Sequence, residues 1–159
     1  MVTFHNKKKF LLYFPHVDPH TMERVLSDSF HHLSLNIDVT FVNLQLIEEM
    51  NDLHRGKKEA TDVLSFRPLT SSDPSEVELT EKADILISLE YIKDSLEHFT
   101  EDRFLEEVIR CIIHGILHIS GYDHEGYFTE KNKQLEPMYL EQERVLKVVL
   151  GEIKGSIAG

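Results

Sequence analysis

The feature that most constrains the fold of this chain is one long helical pattern, over residues 101–120 of 159. Its apolar side chains recur at helical spacing and form one broad stripe, which consists of Phe104, Leu105, Val108, Ile109, Ile112, Ile113, Ile116 and Leu117. Thr100 is a suitable N-cap, and Gly121 can take the left-handed conformation that ends many helices. The pattern therefore predicts a central helix with one apolar face in the core.

Three histidines lie at the C-terminal end of this pattern, in the order His-x3-His-x5-His. His114 and His118 are one turn apart, roughly 5–6 Å between Cβ atoms, and lie nearly opposite the centre of the apolar stripe. His124 can join them only if the helix stops in between, and Gly121 is the natural place. Three imidazoles leave zinc one open coordination position, as a catalytic site requires. The alternative is that they are ordinary solvated histidines.

Shorter segments complete the organisation of the chain. We predict helices at 19–32, 44–54, 89–99 and 137–150, the last ending at Gly151, and strands at 36–42, 63–66 and 83–88. Residues 69–81 read as a polar loop. The expected fold is α+β, a small mixed sheet with helices and a metal site at the end of the central helix. It forms a single domain over residues 1–151, followed by a frayed tail at 152–159.

Composition limits the class of protein. No apolar run is long enough to span a membrane, and no signal segment is visible, so we expect a cytoplasmic protein. The single cysteine, Cys111, excludes an internal disulfide and fits a reducing compartment. It lies on the histidine side of the helix, where a metal role is conceivable, but a buried unreactive thiol is the favoured interpretation.

The net charge of −11 does not favour nucleic acid as a partner. An interaction with RNA must therefore depend on a local basic cluster or on a partner protein. The candidate cluster is Arg55-Gly56-Lys57-Lys58, with Arg67 further along the chain. From composition alone, a solvated loop is the better explanation of this run.

The run from His114 to His124, HGILHISGYDH, resembles the signature of the YbeY family of metal-dependent endoribonucleases, which act in rRNA maturation. Two further blocks resemble the same family in order and spacing: Arg55-Gly56-Lys57 followed by residues 61–66, and residues 84–88. Two positions depart from the family pattern. Arg67 stands where proline is usual, and Ala83 stands where glycine is usual.

The resemblance implies a zincin-like α+β fold with one zinc ion held by His114, His118 and His124. It also implies that Arg55 is the critical arginine of the cleft. The implied function is a single-strand-specific endoribonuclease in 3′-end maturation of small-subunit (16S) rRNA and in ribosome quality control. The implied partners are RNA, ribosomal proteins and an Era-type GTPase.

A phosphodiester hydrolase is chemically consistent with these residues. Zinc can lower the pKa of a bound water to about 7, so a dedicated base is less necessary. Arg55 can match two phosphate oxygens with its planar guanidinium, and Ser65 is a candidate for substrate contact, although a plain strand position is equally consistent. Asp123 is a candidate to orient a histidine ligand or to cap the turn. Tyr122 and Phe66 can stack on bases or pack in the core.

Two other functions remain open at this stage. In a ribosome-assembly factor the zinc would be structural, and the acidic charge and the lack of a carboxylate base favour this alternative. A zinc peptidase of the metzincin type would carry glutamate directly after the first histidine, where this chain has Gly115. That alternative therefore lacks its general base.

Overall fold

The structure, a computed structural model, describes residues 1–56, 59, 61–66, 82–121 and 136–158, with the backbone alone for residues 54, 55 and 156–158. The described elements, in chain order, are β1 (Val2–His5), α1 (Lys7–Tyr13), α2 (Pro19–Ser29), β2 (Asn36–Phe41), α3 (Leu44–Arg55), β3 (Val63–Phe66), β4 (Lys82–Ile87), α4 (Leu89–Ser95), α5 (Glu101–Ile119) and α6 (Pro137–Ala158). None of the described helices combines the length and the apolar composition needed to cross a bilayer.

The four described strands form one mixed sheet in the order β1-β2-β4-β3. β1, β2 and β4 run parallel, and β3 pairs antiparallel with β4, so that Ser65 lies opposite Ile85. The prediction of an α+β fold with a small mixed sheet is confirmed. β3 is an edge strand of this sheet, and it lies beside the central helix α5.

The main core lies between the sheet and α5. Ten residues of α5 are buried, among them every member of the predicted apolar stripe. The helix lies close to the sheet at Gly115, where an added Cβ would lie 3.2 Å from Ile85 Cδ1 and 3.4 Å from Val63 Cγ2. Contacts this short are tighter than most real Cβ contacts, so the glycine lets α5 lie near β3 and β4 without displacing these side chains.

A second, smaller core lies on the other face of the sheet. Ile47 of α3 packs there with Val42 and Leu64, and Leu86 packs at its edge. Side chains alternate between the two faces of a strand, so Leu86 points away from the α5 side, to which Ile85 and Ile87 contribute. The helix α3 thereby covers the face opposite α5.

Several helix boundaries differ from the predictions. The segment predicted at 19–32 is helical only to Ser29, and the one predicted at 89–99 only to Ser95. After α4, Leu96 is extended and packs at the edge of the main core, so the chain leaves the helix early and turns towards Thr100. The boundary at Phe99 was therefore wrong.

The predicted end of the last helix was also wrong. α6 continues through Gly151 to Ala158, so residues 152–158, predicted as a tail, are helical. Ile153 explains the extension because it is 1% exposed and belongs to the main core. Burying Ile153 contributes roughly 1.5–3 kcal/mol, which exceeds the roughly 1 kcal/mol that Gly151 costs within the helix.

The first two elements were not predicted at all. β1 adds a parallel strand at one edge of the sheet, with Val2 and Phe4 both 2% exposed. The signal was present as a short alternation of apolar and polar residues in Val2-Thr3-Phe4-His5. Four residues of alternation are too few to separate a strand from chance.

Candidate metal centre

The two ends of α5 are formed as the sequence predicts. The Thr100 hydroxyl accepts a hydrogen bond from the backbone N–H of Arg103 at 3.1 Å, so Thr100 is the N-cap. At the other end, the N–H of Gly121 donates to the carbonyl of His118 at 3.2 Å, and Gly121 has a φ of 106°. A positive φ here favours glycine, and the helix ends at Ile119, one residue after the second histidine.

His114 and His118 point towards each other from successive turns of α5. Their Nε2 atoms are 3.1 Å apart, and their rings lie 4.7 Å apart at an interplanar angle of 76°. Two imidazole nitrogens at about 2.0–2.1 Å from one tetrahedral zinc would lie about 3.3 Å from each other. The pair is therefore positioned as two ligands of one zinc ion would be.

The third predicted ligand, His124, lies outside the described residues, as do Tyr122 and Asp123. Within the described ranges, no group of three or more histidine, cysteine or acidic side chains is placed to hold a metal ion. The two imidazoles that are described fit a zinc site, and the complete ligand set stays a prediction.

A glutamine that the sequence analysis missed contacts the first histidine. Gln142 of α6 lies with its Oε1 atom 2.6 Å from Nδ1 of His114, and it is only 3% exposed. Its Nε2 atom donates to Glu143, which in turn is paired with Arg110 of α5. The available signal was a polar residue at a core position of a helix, between Met138 and Val145.

An open cavity of about 270 Å³ lies beside the second histidine of the pair. It is lined by Ser65 and Phe66 of β3 and by His118 and Ile119 of α5. The predicted substrate residue Ser65 thus shares a cavity with a candidate ligand, because β3 runs along α5. Its role in binding substrate stays a prediction.

The predicted arginine, Arg55, is the last residue of α3. Gly56 follows it with a φ of 70°, and its N–H donates to the carbonyl of Asp52 at 3.0 Å, so the helix ends in a left-handed glycine cap. The side chain of Arg55 is not described. Lys57, Lys58 and Arg67 of the predicted basic cluster lie outside the described residues.

A family model described as Endoribonuclease YbeY matches residues 13–149 of the chain. The chain belongs to this family. The match covers the candidate metal centre, the sheet strands β2 to β4 and most of α6. The predicted family membership is confirmed, and the predicted enzyme class, an endoribonuclease, is the class for which the YbeY family is named.

Curated members of the YbeY family agree with this assignment. The Endoribonuclease YbeY of Persephonella marina is 40% identical over 102 residues, which cover 64% of this chain and 63% of the relative. That of Borrelia duttonii is 39% identical over 111 residues, 70% of each chain. The chain thus matches about two thirds of the length of these relatives.

One solved structure shares the fold over nearly its whole length. The solution structure of TM1509 from Thermotoga maritima superimposes with a TM-score of 0.56 and 26% identity, over 98% of this chain and 93% of that chain. The likeness extends the fold assignment beyond the region matched by the curated relatives.

Cys111 is buried, whereas His114 and His118 are only half-buried. The thiol is 8% exposed and lies 3.5 Å from a carboxylate oxygen of Asp62. Burial, together with the negative charge of Asp62, raises the pKa of the Cys111 thiol well above its usual value. Since the thiolate is the form that binds metal, the structure favours the buried, unreactive thiol over a metal ligand.

The structure also explains why the YbeY signature here has glycine after the first histidine. The missing side chain of Gly115 points at Ile85 and Val63 in the sheet. A glutamate at this position would have to enter the contact between α5 and the sheet. The general base of a metzincin-type peptidase therefore has no place here, which argues against the peptidase alternative.

Proposed function

We propose that this chain is a zinc-dependent endoribonuclease that cleaves single-stranded or loop RNA. The proposal is carried by one observation: two histidine Nε2 atoms 3.1 Å apart, at the edge of an open cavity, in a member of the Endoribonuclease YbeY family. The proteins of Persephonella marina and Borrelia duttonii carry the name of that activity. We assign His114, His118 and His124 as the ligands of one zinc ion.

In the proposed reaction, different residues bind the metal and the RNA. His114 and His118 present nitrogen ligands, and their helix is followed by a glycine with positive φ, as the approach of His124 requires. A zinc ion bound there supplies activation of water near neutral pH and stabilisation of negative charge. Arg55 binds the phosphate through its guanidinium, and the hydroxyl of Ser65 holds the RNA strand in the cavity.

The absence of a carboxylate at position 115 is consistent with this chemistry. A phosphodiester bond can be cleaved by an activated water without a base next to the first ligand, whereas the metzincin mechanism needs one. The lack of a carboxylate beside the first histidine therefore favours a phosphodiester substrate over a peptide. The acidic net charge of −11 leaves Arg55 and its basic neighbours as the local attraction for RNA.

The substrate and the setting of the reaction follow from the family resemblance. We assign 3′-end maturation of small-subunit (16S) rRNA and ribosome quality control as the processes, with ribosomal proteins and an Era-type GTPase as partners. A cytoplasmic location agrees with the single cysteine, which is kept as a buried thiol.

The test is zinc content and RNA cleavage measured on the same samples of wild type, His114→Ala and His98→Ala. His98 is an exposed histidine outside the site and serves as the matched control. We expect about one zinc per chain and cleavage in wild type and in His98→Ala, and the loss of both in His114→Ala.

Two other results would change the proposal. Zinc without cleavage in the wild type would favour a ribosome-assembly factor with a structural metal. Cleavage that survives in His114→Ala at the wild-type rate would show that the histidine site is not catalytic.

A further inference from the structure

A polar chain of four residues joins α6 to the first candidate ligand. It begins at Arg110, whose Nε and Nη2 atoms each donate to one oxygen of Glu143 at 3.0 Å. Burial alone would lower the pKa of Arg110, but the hydrogen bond and the charge of Glu143 raise it. The guanidinium is permanently charged, so it holds Glu143 as an ionised carboxylate that can only accept hydrogen bonds.

The carboxylate of Glu143 fixes the orientation of the next amide. Glu143 Oε2 lies 3.1 Å from Nε2 of Gln142. If the amide were flipped, its oxygen would face the carboxylate, and two acceptors would oppose each other without a hydrogen. The NH2 group of Gln142 therefore faces Glu143, and its carbonyl oxygen faces His114.

The carbonyl oxygen of Gln142 in turn fixes the tautomer of His114. The oxygen carries no hydrogen, so in the 2.6 Å contact the Nδ1–H of His114 must donate. A neutral imidazole has one N–H only, so Nε2 of His114 is the ring nitrogen that carries a lone pair. Nε2 of His118 lies 3.1 Å away. These two nitrogen atoms are the ones that are proposed to bind the metal.

The burial of Gln142 supports a specific role. Its side chain is 3% exposed and lies on the core side of α6 with Met138, Val145 and Leu146. A buried amide costs free energy unless it is hydrogen-bonded, and an apolar residue would fill this core position without that requirement. Both polar atoms of the amide are used, one towards His114 and one towards Glu143.

The geometry points to Gln142 as a positioning residue for the metal centre: it holds His114 in the Nδ1–H tautomer, and the Arg110–Glu143 pair holds Gln142. This inference rests on the proposed metal site for its function. It goes beyond that proposal because it assigns a residue of α6, outside the histidine signature, to the preparation of a ligand. Outer contacts of this kind change metal affinity by about 10- to 100-fold when they are removed.

The experiment compares three variants of α6. Gln142→Leu removes the acceptor but suits the apolar surroundings. Gln142→Glu keeps an oxygen that accepts from His114, but places a second carboxyl group beside Glu143. Glu141→Gln is the matched control, because Glu141 pairs with Arg144 on the same helix and takes no part in the chain to His114.

Three quantities are measured on each protein. The first is the tautomer of His114 in the zinc-free protein, which ¹⁵N chemical shifts report. The second is the zinc dissociation constant, which competition with a chromophoric chelator gives. The third is the melting temperature without zinc. In Gln142→Leu we expect loss of the pure Nδ1–H tautomer and a dissociation constant about 10- to 100-fold higher, with little change in melting temperature. In Gln142→Glu we expect a lower melting temperature, with the tautomer and the zinc affinity kept within about threefold.

Opposite responses of stability and zinc affinity separate positioning from a merely structural role. If zinc affinity instead follows melting temperature across the variants, or if Gln142→Leu matches Glu141→Gln in tautomer and affinity, the inference is overturned. If the wild type binds no zinc, the proposed function fails. The tautomer of the zinc-free proteins then still decides whether Gln142 orients His114.

Discussion

The two faces of α5 are built on different principles. On the sheet face, Gly115 brings the helix backbone against Ile85 and Val63, and the contact is entirely apolar. On the adjoining face, His114 and His118 are half-buried and make directed contacts with polar groups. The sheet face therefore depends on shape, whereas the histidine face depends on the direction of hydrogen bonds. Apolar packing can fix where the helix lies without fixing how an imidazole is turned.

The histidine face itself has two sides. His114 is held from α6 by the buried amide of Gln142, whereas His118 lies beside the cavity that contains Ser65. A ligand that must keep one orientation is best placed where its surroundings are closed. A ligand beside the reacting groups is best placed where substrate can enter. The difference predicts that changes near His114 alter metal binding, and that changes near Ser65 alter substrate binding.

Gly115→Glu should have the largest effect because it breaks the sheet face. The Cβ atom of the new side chain meets Ile85 at 3.2 Å, the rest of the glutamate must enter the packed contact, and its charge is brought into the core. Overpacking of this kind costs about 3 kcal/mol of unfolding free energy. Chemical denaturation of the zinc-free protein measures the loss.

Gly115→Ala is the matched control for this change. The single methyl group also meets Ile85, at 3.2 Å, but alanine gains about 1 kcal/mol in helix propensity over glycine. We expect its stability to lie within about 1 kcal/mol of wild type. Equal stability of Gly115→Glu and wild type would show that the sheet face is not limited by shape.

Arg110→Met should have the next largest effect, and it tests the histidine face. The change leaves Glu143 without the bidentate partner that joins α5 to α6. Charge-assisted hydrogen bonds contribute about 1.5–3 kcal/mol, and partial exposure of both groups reduces this to about 1.5 kcal/mol. Denaturation measures the stability, and a chelator competition should show weaker zinc binding. Unchanged zinc affinity, with stability lost, would separate the ion pair from the metal centre.

Most of the apolar part of this architecture was predictable from the sequence, whereas polar contacts between segments distant in sequence were not. The stripe on α5 and the strands β2, β3 and β4 were found because each buries one face, and burial on one face imposes a period on the sequence. The end of α6 was missed because the burial of Ile153, a contact distant in sequence, outweighs the local preference of Gly151. Periodicity carries no information about such a competition.

The candidate site was predictable only where its residues lie close together in sequence. His114, His118 and Gly121 share one segment, and helix geometry relates them directly. Gln142 lies 28 residues from His114 in the chain, and a glutamine on a helix is usually exposed to solvent. Only the packing of α6 against α5 brings the two together. The resemblance to the YbeY family predicts the ligands, but the motifs that carry it do not include α6.

Ser65→Ala should leave stability nearly unchanged and lower the rate of RNA cleavage. Ser65 is half-buried at the cavity beside His118, and removal of one substrate hydrogen bond costs about 1.4 kcal/mol, a tenfold loss in kcat/KM. Zinc affinity should stay at the wild-type value, in contrast to Arg110→Met. Steady-state cleavage of a short single-stranded RNA measures the first effect. A loss of zinc with no loss in kcat/KM at saturating zinc would reverse the assignment of the two sides.

Cys111→Ala should have the smallest effect at neutral pH, since a buried neutral thiol is replaced by another small apolar group. The raised pKa of Cys111 means that folding favours the protonated thiol, so its contribution to stability is complete below the usual thiol pKa of 9.0. As the pH rises above 9.0, the unfolded chain releases this proton and the folded chain does not. The wild type should therefore lose stability relative to Cys111→Ala above that pH, by up to about 1.4 kcal/mol per pH unit. Denaturation curves of both proteins at pH 7 and at pH 10 measure the difference, and zinc content should be equal in the two. A drop in zinc content in the variant would instead indicate that the thiol binds the metal.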